Sequence, residues 1–156
     1  MTNTAPLIGM IAAIALGFAN QVFAEDKHGH GAEQVHAGET AHFEKPTFGN
    51  VKDAWTFMTT KVAEVESLLG ENKVEPVHKI GEELEGAIHT LEEKSDAVTG
   101  DAKPKLASVL KQLDKAVDDL HHSAEAKDAA AASLHLKKIK GLMPLVESLY
   151  PAGTLK

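Results

Sequence analysis

Nine histidines are the residues of this 156-residue sequence with the most distinctive chemistry. Neutral imidazole is the commonest protein ligand for zinc, copper and nickel. Four histidines lie within fifteen residues of a Gly- and Glu-rich segment near the N-terminus: His28, His30, His36 and His42. The other five are spread along the rest of the chain: His78, His89, His121, His122 and His135. The first group predicts metal binding by composition, whereas the second depends on the fold that positions it.

Carboxylates follow His78 at helical spacing. Glu82, Glu85 and His89 lie four, seven and eleven residues further on, so in a helix the four side chains form a stripe along one face, with His89 about 20° from His78. Mixed imidazole and carboxylate ligands suit zinc, copper or nickel better than calcium or magnesium, which prefer oxygen alone. The ordinary alternative for this stripe is a solvated helix face.

Four amphipathic helices must position these residues, because apolar side chains recur at spacings of four and three. The clearest pattern lies in the third and fourth helices, whose inward residues are Leu106, Leu110, Leu113, Val117 and Leu120, then Ala132, His135, Ile139, Leu142, Val146 and Leu149. The inward residues of the first two are Val51, Trp55, Met58, Val62, Val65 and Leu69, then Val77, Gly81, Leu84, Ile88 and Leu91. Asn50, Pro76, Pro104 and Asp128 mark the four starts, and Gly70 marks the first end. Pro144 predicts a kink near Lys140.

Four helices of this length favour an all-α, up-down-up-down antiparallel four-helix bundle over residues 47–151, with 152–156 as a tail. In that topology the second helix starts where the third ends, so His78, His121 and His122 come to one end, with His135 about 10 Å further down the fourth helix. We therefore predict a shared metal site of these four residues. The alternatives are that His121 and His122 complement the helix dipole when protonated, and that His135 is a hydrogen-bonded boundary residue.

The N-terminal residues resemble an export signal. Residues 1–24 contain no charged side chain, and the apolar run from Leu7 to Phe18 is too short to span a bilayer core of about 30 Å. Ala24 before an acidic pair resembles a signal-peptidase site, so we predict cleavage there, a periplasmic location and no membrane attachment afterwards. An uncleaved buried or amphipathic helix is the alternative. Residues 25–46 contain too few apolar side chains to fold, and we predict a disordered His-rich arm.

Composition narrows the function further. The chain has no cysteine and no arginine and carries a net charge of −7. These features argue against nucleic acid and against bidentate phosphate binding, whereas a negative field concentrates cations. The sequence also lacks a Cys nucleophile, G-x-S-x-G, a P-loop, a dinucleotide glycine fingerprint and H-E-x-x-H, so we expect no enzymatic activity.

The chain resembles two kinds of exported four-helix bundle. The arm and the stretch LHHSAEAKDAAAASLHLKK are similar to the His-rich small periplasmic metal-binding proteins. Length, signal peptide and Met58 resemble the soluble periplasmic cytochrome b family, in which a methionine and a histidine hold haem. Met143, Pro144 and Leu145 stand where that family's histidine is expected, and no C-x-x-C-H is present, which argues against haem. Trp55 and Met58 are more simply core residues.

These patterns predict a periplasmic binding protein that buffers, carries or senses copper, nickel or zinc. The predicted ligands are the four arm histidines together with His78, His121, His122 and His135. One alternative is an electron carrier with b-type haem between Met58 and a helix-four histidine. Another is a ligand-free structural adaptor that binds another envelope protein. The sequence leaves open whether the bundle is a monomer or a homodimer.

Overall fold

The computed structural model describes residues 43–156, which form four helices. They are α1 Val51–Gly70, α2 Glu75–Glu93, α3 Ala102–Glu125 and α4 Ala129–Leu149. The predicted signal peptide and the four arm histidines, His28, His30, His36 and His42, lie outside the described residues. Within the described part of the chain, no helix is both long enough and apolar enough to cross a membrane.

Side-chain caps fix two of the helix starts as predicted. The side chain of Asn50 accepts a hydrogen bond from the Asp53 amide at 2.9 Å, and Asp128 accepts one from the Ala131 amide at 2.9 Å. Each bond satisfies a backbone donor that the first helical turn leaves without a partner. The prediction that Pro104 opens α3 is two residues late, because the helix already begins at Ala102.

The end of α1 also differs from the prediction. Gly70 is still helical, and the left-handed residue that terminates the helix is Asn72, with φ of 58°. The Lys73 amide then donates back to the Leu68 carbonyl at 2.8 Å. Asparagine tolerates this backbone conformation better than most side chains, so a glycine is not required there.

The helices form an all-α, up-down four-helix bundle. Each helix packs against the next along the chain, and α1 closes the ring against α4. The predicted inward residues of α2 and α3 are buried throughout, and Trp55 and Met58 lie in the core, as their spacing indicates. Leu155, in the predicted C-terminal tail, is 5% exposed and packs into the same core.

A short segment lies across the α2 face of the bundle before α1 begins. We call residues 43–48 the strap. Pro46 of the strap packs on Gly86 so closely that a Cβ at position 86 would collide with its carbonyl oxygen. Lys45 forms an ion pair with Glu85. Residues 43–46 are the part of the predicted disordered arm that falls among the described residues, and they lie against α2 rather than free of it.

Candidate metal centre

The start of α2 and the end of α3 bring His78 and His121 together. Their ring centroids are 4.6 Å apart with an interplanar angle of 51°. Gly81 allows this approach, since a Cβ on it would lie only 2.8 Å from the Cβ of His121. The antiparallel topology predicts the encounter, whereas the close backbone contact at Gly81 could not be read from its place on the apolar seam.

Glu82 lies between the two imidazoles. Its Oε1 atom is 3.5 Å from Nε2 of His78 and 3.6 Å from Nε2 of His121. Its Oε2 atom accepts a hydrogen bond from the Phe43 amide of the strap. We call His78, Glu82 and His121 the inner cluster, and the three ligand atoms that these residues offer all lie within 4.8 Å of one another.

The inner cluster is enclosed by the bundle and the strap. Glu82 is 1% exposed and His121 6% exposed, and the side chain of His78 is 12% exposed. The Phe43 ring packs edge-on against the His78 ring at 5.8 Å. The sequence alternative of a solvated face is therefore wrong for Glu82. Isolated buried carboxylates are strongly disfavoured, so this one requires cationic or hydrogen-bonding neighbours.

Two imidazole nitrogens of the cluster are buried without a hydrogen-bond partner among the described residues. They are Nε2 of His78 and Nδ1 of His121. Each faces a carboxylate oxygen at 3.5 Å, which is too long for a good hydrogen bond. A buried polar atom without a partner costs about 1–3 kcal/mol, and an ion seated between donor atoms removes that penalty for a nitrogen that coordinates it.

The spacing of the donor atoms fits a small transition-metal ion. Two ligands bound about 2.05 Å from zinc at a tetrahedral angle lie about 3.3–3.4 Å apart. The observed separations of 3.5 and 3.6 Å need only a small contraction. Adjacent ligands of a square-planar ion lie closer, at about 2.9 Å. Three protein ligands also leave one tetrahedral position for water or another donor, as in zinc sites that exchange ligands.

The other nitrogen of His121 faces a second pair of carboxylates. Nδ1 lies 3.5 Å from Oε1 of Glu85, and Glu85, Asp118 and His121 form a further group whose ligand atoms lie within 4.8 Å. We call these three residues the outer cluster. Glu85 also forms the ion pair with Lys45, so the strap contributes a positive charge at this side of His121.

An acidic cleft of about 600 Å³ adjoins the outer cluster between α2, α3 and the strap. Its carboxylates are Glu85, Glu92, Asp114 and Asp118. Partial burial, followed by repulsion from Glu85 and Asp118, raises the pKa of Asp114 above its usual 3.8. Burial and the neighbouring Asp114 likewise raise the pKa of Glu92. Lys45 and Lys115 also line the cleft, so four carboxylates face two lysines there and the remaining negative charge attracts cations.

His122 lies beside the inner cluster but on the surface. Its ring stacks on that of His121 at 4.9 Å, and its side chain is 63% exposed. Its nitrogens lie 3.3 Å from Asp118 and 3.4 Å from Glu125. His121, His122 and Glu125 form a third group with metal-ligand spacing, although two of the three residues are exposed.

Two other histidines lie apart from the inner cluster. His135 is 30% exposed and lies 3.8 Å from Asp119 of α3, and it belongs to none of the metal-competent groups found among residues 43–156. The prediction that it joins His78 is not supported by this placement, because the ring points to α3 rather than to α2. His89 lines the acidic cleft, with a 65% exposed side chain that lies 3.2 Å from Glu93.

The residues that sequence reasoning missed are Asp118 and the strap. Asp118 lies three residues before His121 on α3, a spacing that could have indicated a shared ligand face. Nothing in the composition of residues 43–48 predicts that they cover Glu82. Met58, the haem ligand that the cytochrome alternative requires, is completely buried in the apolar core.

Comparison of the chain with models of protein families, with curated proteins and with solved structures finds no match. The function of the protein is therefore inferred from the fold and the side-chain geometry of residues 43–156.

Proposed function

We propose that the protein binds a divalent transition metal ion through His78, Glu82 and His121. The observation that supports this most directly is the buried carboxylate between two imidazoles, with Nε2 of His78 lacking a hydrogen-bond partner among residues 43–156. Metal coordination supplies that nitrogen with a partner, and the carboxylate of Glu82 supplies the ion with an oxygen ligand between the two imidazoles.

Zinc is the ion that this geometry favours among zinc, copper and nickel. The donor set of two nitrogens and one oxygen suits all three ions. The separations of 3.5 and 3.6 Å match a tetrahedral or trigonal arrangement more closely than a square plane. Copper(II) generally binds nitrogen and oxygen sites more tightly than zinc or nickel does. A competition titration between the ions therefore measures how far the geometry of this site offsets the general preference for copper.

The biological role that we propose is to buffer, carry or sense the ion in the periplasm, without catalysis. The predicted signal peptide, the His-rich arm and the absence of cysteine support export to a compartment where weak, exchangeable sites are useful. The resemblance to His-rich small periplasmic metal-binding bundles supports the same role. A tetrahedral ion takes four ligands, and the bundle supplies three of them: His78, Glu82 and His121.

Calorimetric titration with Zn(II) tests the proposal. To remove the signal of the arm, the full chain is used with His28, His30, His36 and His42 replaced by glutamine. We expect one ion per chain, and we expect E82Q and H78A to weaken binding by about 100-fold or more, since losing even an outer partner of a ligand costs about 10–100-fold. E64Q, the same chemical change on the exposed side of α1, is the matched control.

Two results would contradict the proposal. One is an affinity no better than millimolar for Zn(II), Cu(II) and Ni(II) alike. The other is equal binding by E82Q and E64Q. If the protein binds no metal and E82Q also unfolds more easily, the cluster is a structural network of one carboxylate and two imidazoles.

A further inference from the structure

His121 presents its two nitrogens to two different sets of ligands. Nε2 lies 3.6 Å from Glu82 in the inner cluster, and Nδ1 lies 3.5 Å from Glu85 in the outer cluster. The residue is 6% exposed, and its Nδ1 atom has no hydrogen-bond partner among the described residues. Its surroundings therefore offer a second position for a cation, on the side of the ring that faces away from Glu82.

The outer cluster connects this second position to solvent. The side chain of Asp118 is 50% exposed, that of Glu85 is 14% exposed, and both line the acidic cleft. A cleft lined by carboxylates attracts cations and increases their local concentration. An ion held by Glu85 in this cleft lies beside Nδ1 of His121, because that nitrogen is 3.5 Å from the Glu85 carboxylate.

We infer that His121 passes the metal ion from the outer cluster to the inner cluster. This inference rests on the proposed function, to which it adds the route of the ion and the order of its ligands. Glu85 and Asp118 first hold the ion with Nδ1 of His121, together with water. The ion then moves to Nε2 of the same ring, where His78 and Glu82 complete the site.

Because of the chemistry of imidazole, the ion occupies only one of the two positions at a time. A neutral ring carries one proton, so one nitrogen binds the ion while the other donates a hydrogen bond. With the ion in the outer position, Nε2 carries the proton and faces Glu82. With the ion in the inner position, Nδ1 carries it and faces Glu85, in the manner of carboxylates that orient metal-bound histidines. The ring loses one proton to water and gains another, so its charge is unchanged.

Lys45 opposes the ion at the outer position by charge. Its ammonium group pairs with Oε2 of Glu85, whereas Oε1 faces His121, so the lysine repels a cation beside the carboxylate without occupying the same oxygen. Removing the positive charge of Lys45 favours binding of the ion at the outer position and leaves all of the ligand residues unchanged. The relay therefore predicts opposite effects for the substitutions K45Q and D118N on the rate at which metal binds.

The test uses Co(II) as the probe, in the full chain with the four arm histidines replaced by glutamine. Stopped-flow absorbance measures the binding and release rates. We expect D118N to slow binding and release by about fivefold or more while Kd stays within about twofold. Losing an intermediate binding position changes the two rates, whereas Kd depends on the final site, which D118N leaves unchanged. We expect K45Q to bind faster. D101N removes an equal charge from an exposed residue at the other end of α3 and serves as the control.

Equilibrium titration isolates the outer position. We expect H78A to keep one Co(II) ion at an affinity at least about tenfold weaker, and H78A/D118N to lose it. Circular dichroism checks folding, and D118N changes a half-exposed side chain, so its result does not depend on H78A being folded.

Three results would overturn the relay. They are D118N rates equal to those of D101N, two ions per chain in saturated wild-type protein, and no Co(II) bound by folded H78A. Each leaves the proposed function intact. Wild-type protein that binds no Co(II) would overturn the proposed function and the relay together.

Discussion

Glu82 shows how one residue determines the chemistry of its surroundings. Its carboxylate is 1% exposed, and removing such a group from water costs several kcal/mol unless partners compensate. The Phe43 amide donates to one oxygen, and His78 and His121 approach the other. A protonated imidazole or a metal cation beside Oε1 would add to the partners that stabilise this buried carboxylate.

Asp114 provides a residue-level prediction about pH. Burial raises its pKa above 3.8, so the folded protein holds this proton more tightly than the unfolded chain does. Stability then falls as pH rises through the window between 3.8 and the raised pKa, and the loss is complete at neutral pH. We expect D114N to increase the free energy of unfolding at pH 7, with a gain that shrinks as pH falls towards 3.8. Urea denaturation in metal-free buffer measures it.

D101N is the comparison for this prediction, because Asp101 is exposed, as Asp114 is, but lies outside the cleft. A gain from D101N as large as that from D114N would show that net charge, rather than the partial desolvation of Asp114 and its acidic neighbours, controls the effect. A D114N protein that is less stable at pH 7 would contradict the sign itself.

At the scale of elements, the contact between α2 and α3 positions the inner cluster. Gly81 and His121 meet with almost no space between the two backbones. We expect G81A to destabilise the fold by about 1–3 kcal/mol, because the new methyl group overpacks this contact, even though alanine favours a helix by about 1 kcal/mol over glycine. Displacement of His121 should also weaken metal binding. Thermal unfolding and zinc titration measure the two effects.

Gly141 is the matched position on α4. A Cβ there meets no other atom within 4 Å, so G141A should stabilise the protein by about 0.5–1 kcal/mol through helix propensity alone. Equal effects of G81A and G141A would mean that α2 and α3 can separate slightly without penalty, and that Gly81 does not position His121.

The helices could be predicted from the sequence because apolar spacing specifies them directly. The same spacing and the antiparallel topology predict that His78 and His121 share one end of the bundle. They do not reveal the burial of Glu82, which lies next to the seam residue Gly81 and is covered by Phe43 of the strap. They also do not reveal that His135 lies 3.8 Å from Asp119 of α3. The burial of Glu82 and the surroundings of His135 both depend on tertiary contacts, which the spacing of residues along the chain does not specify.

At the scale of the whole molecule, metal binding should stabilise the bundle, since the inner cluster joins α2 to α3. Free Zn(II) at about 100 times Kd adds about 2.7 kcal/mol to the free energy of unfolding. For a domain of this size that corresponds to an increase in Tm of roughly 10 °C. We expect scanning calorimetry to show this shift for the wild type and to show little of it for H78A. The same shift in both proteins would assign the stabilisation to other sites.

Nε2 of His78, which lacks a hydrogen-bond partner among residues 43–156, also affects the turnover of the protein. Without an ion, this buried nitrogen lowers the stability of the folded chain, and a larger fraction of molecules is then open to proteases at any moment. With an ion, degradation slows. We expect the abundance of the protein in the cell to follow the supply of its metal, with no transcriptional control required.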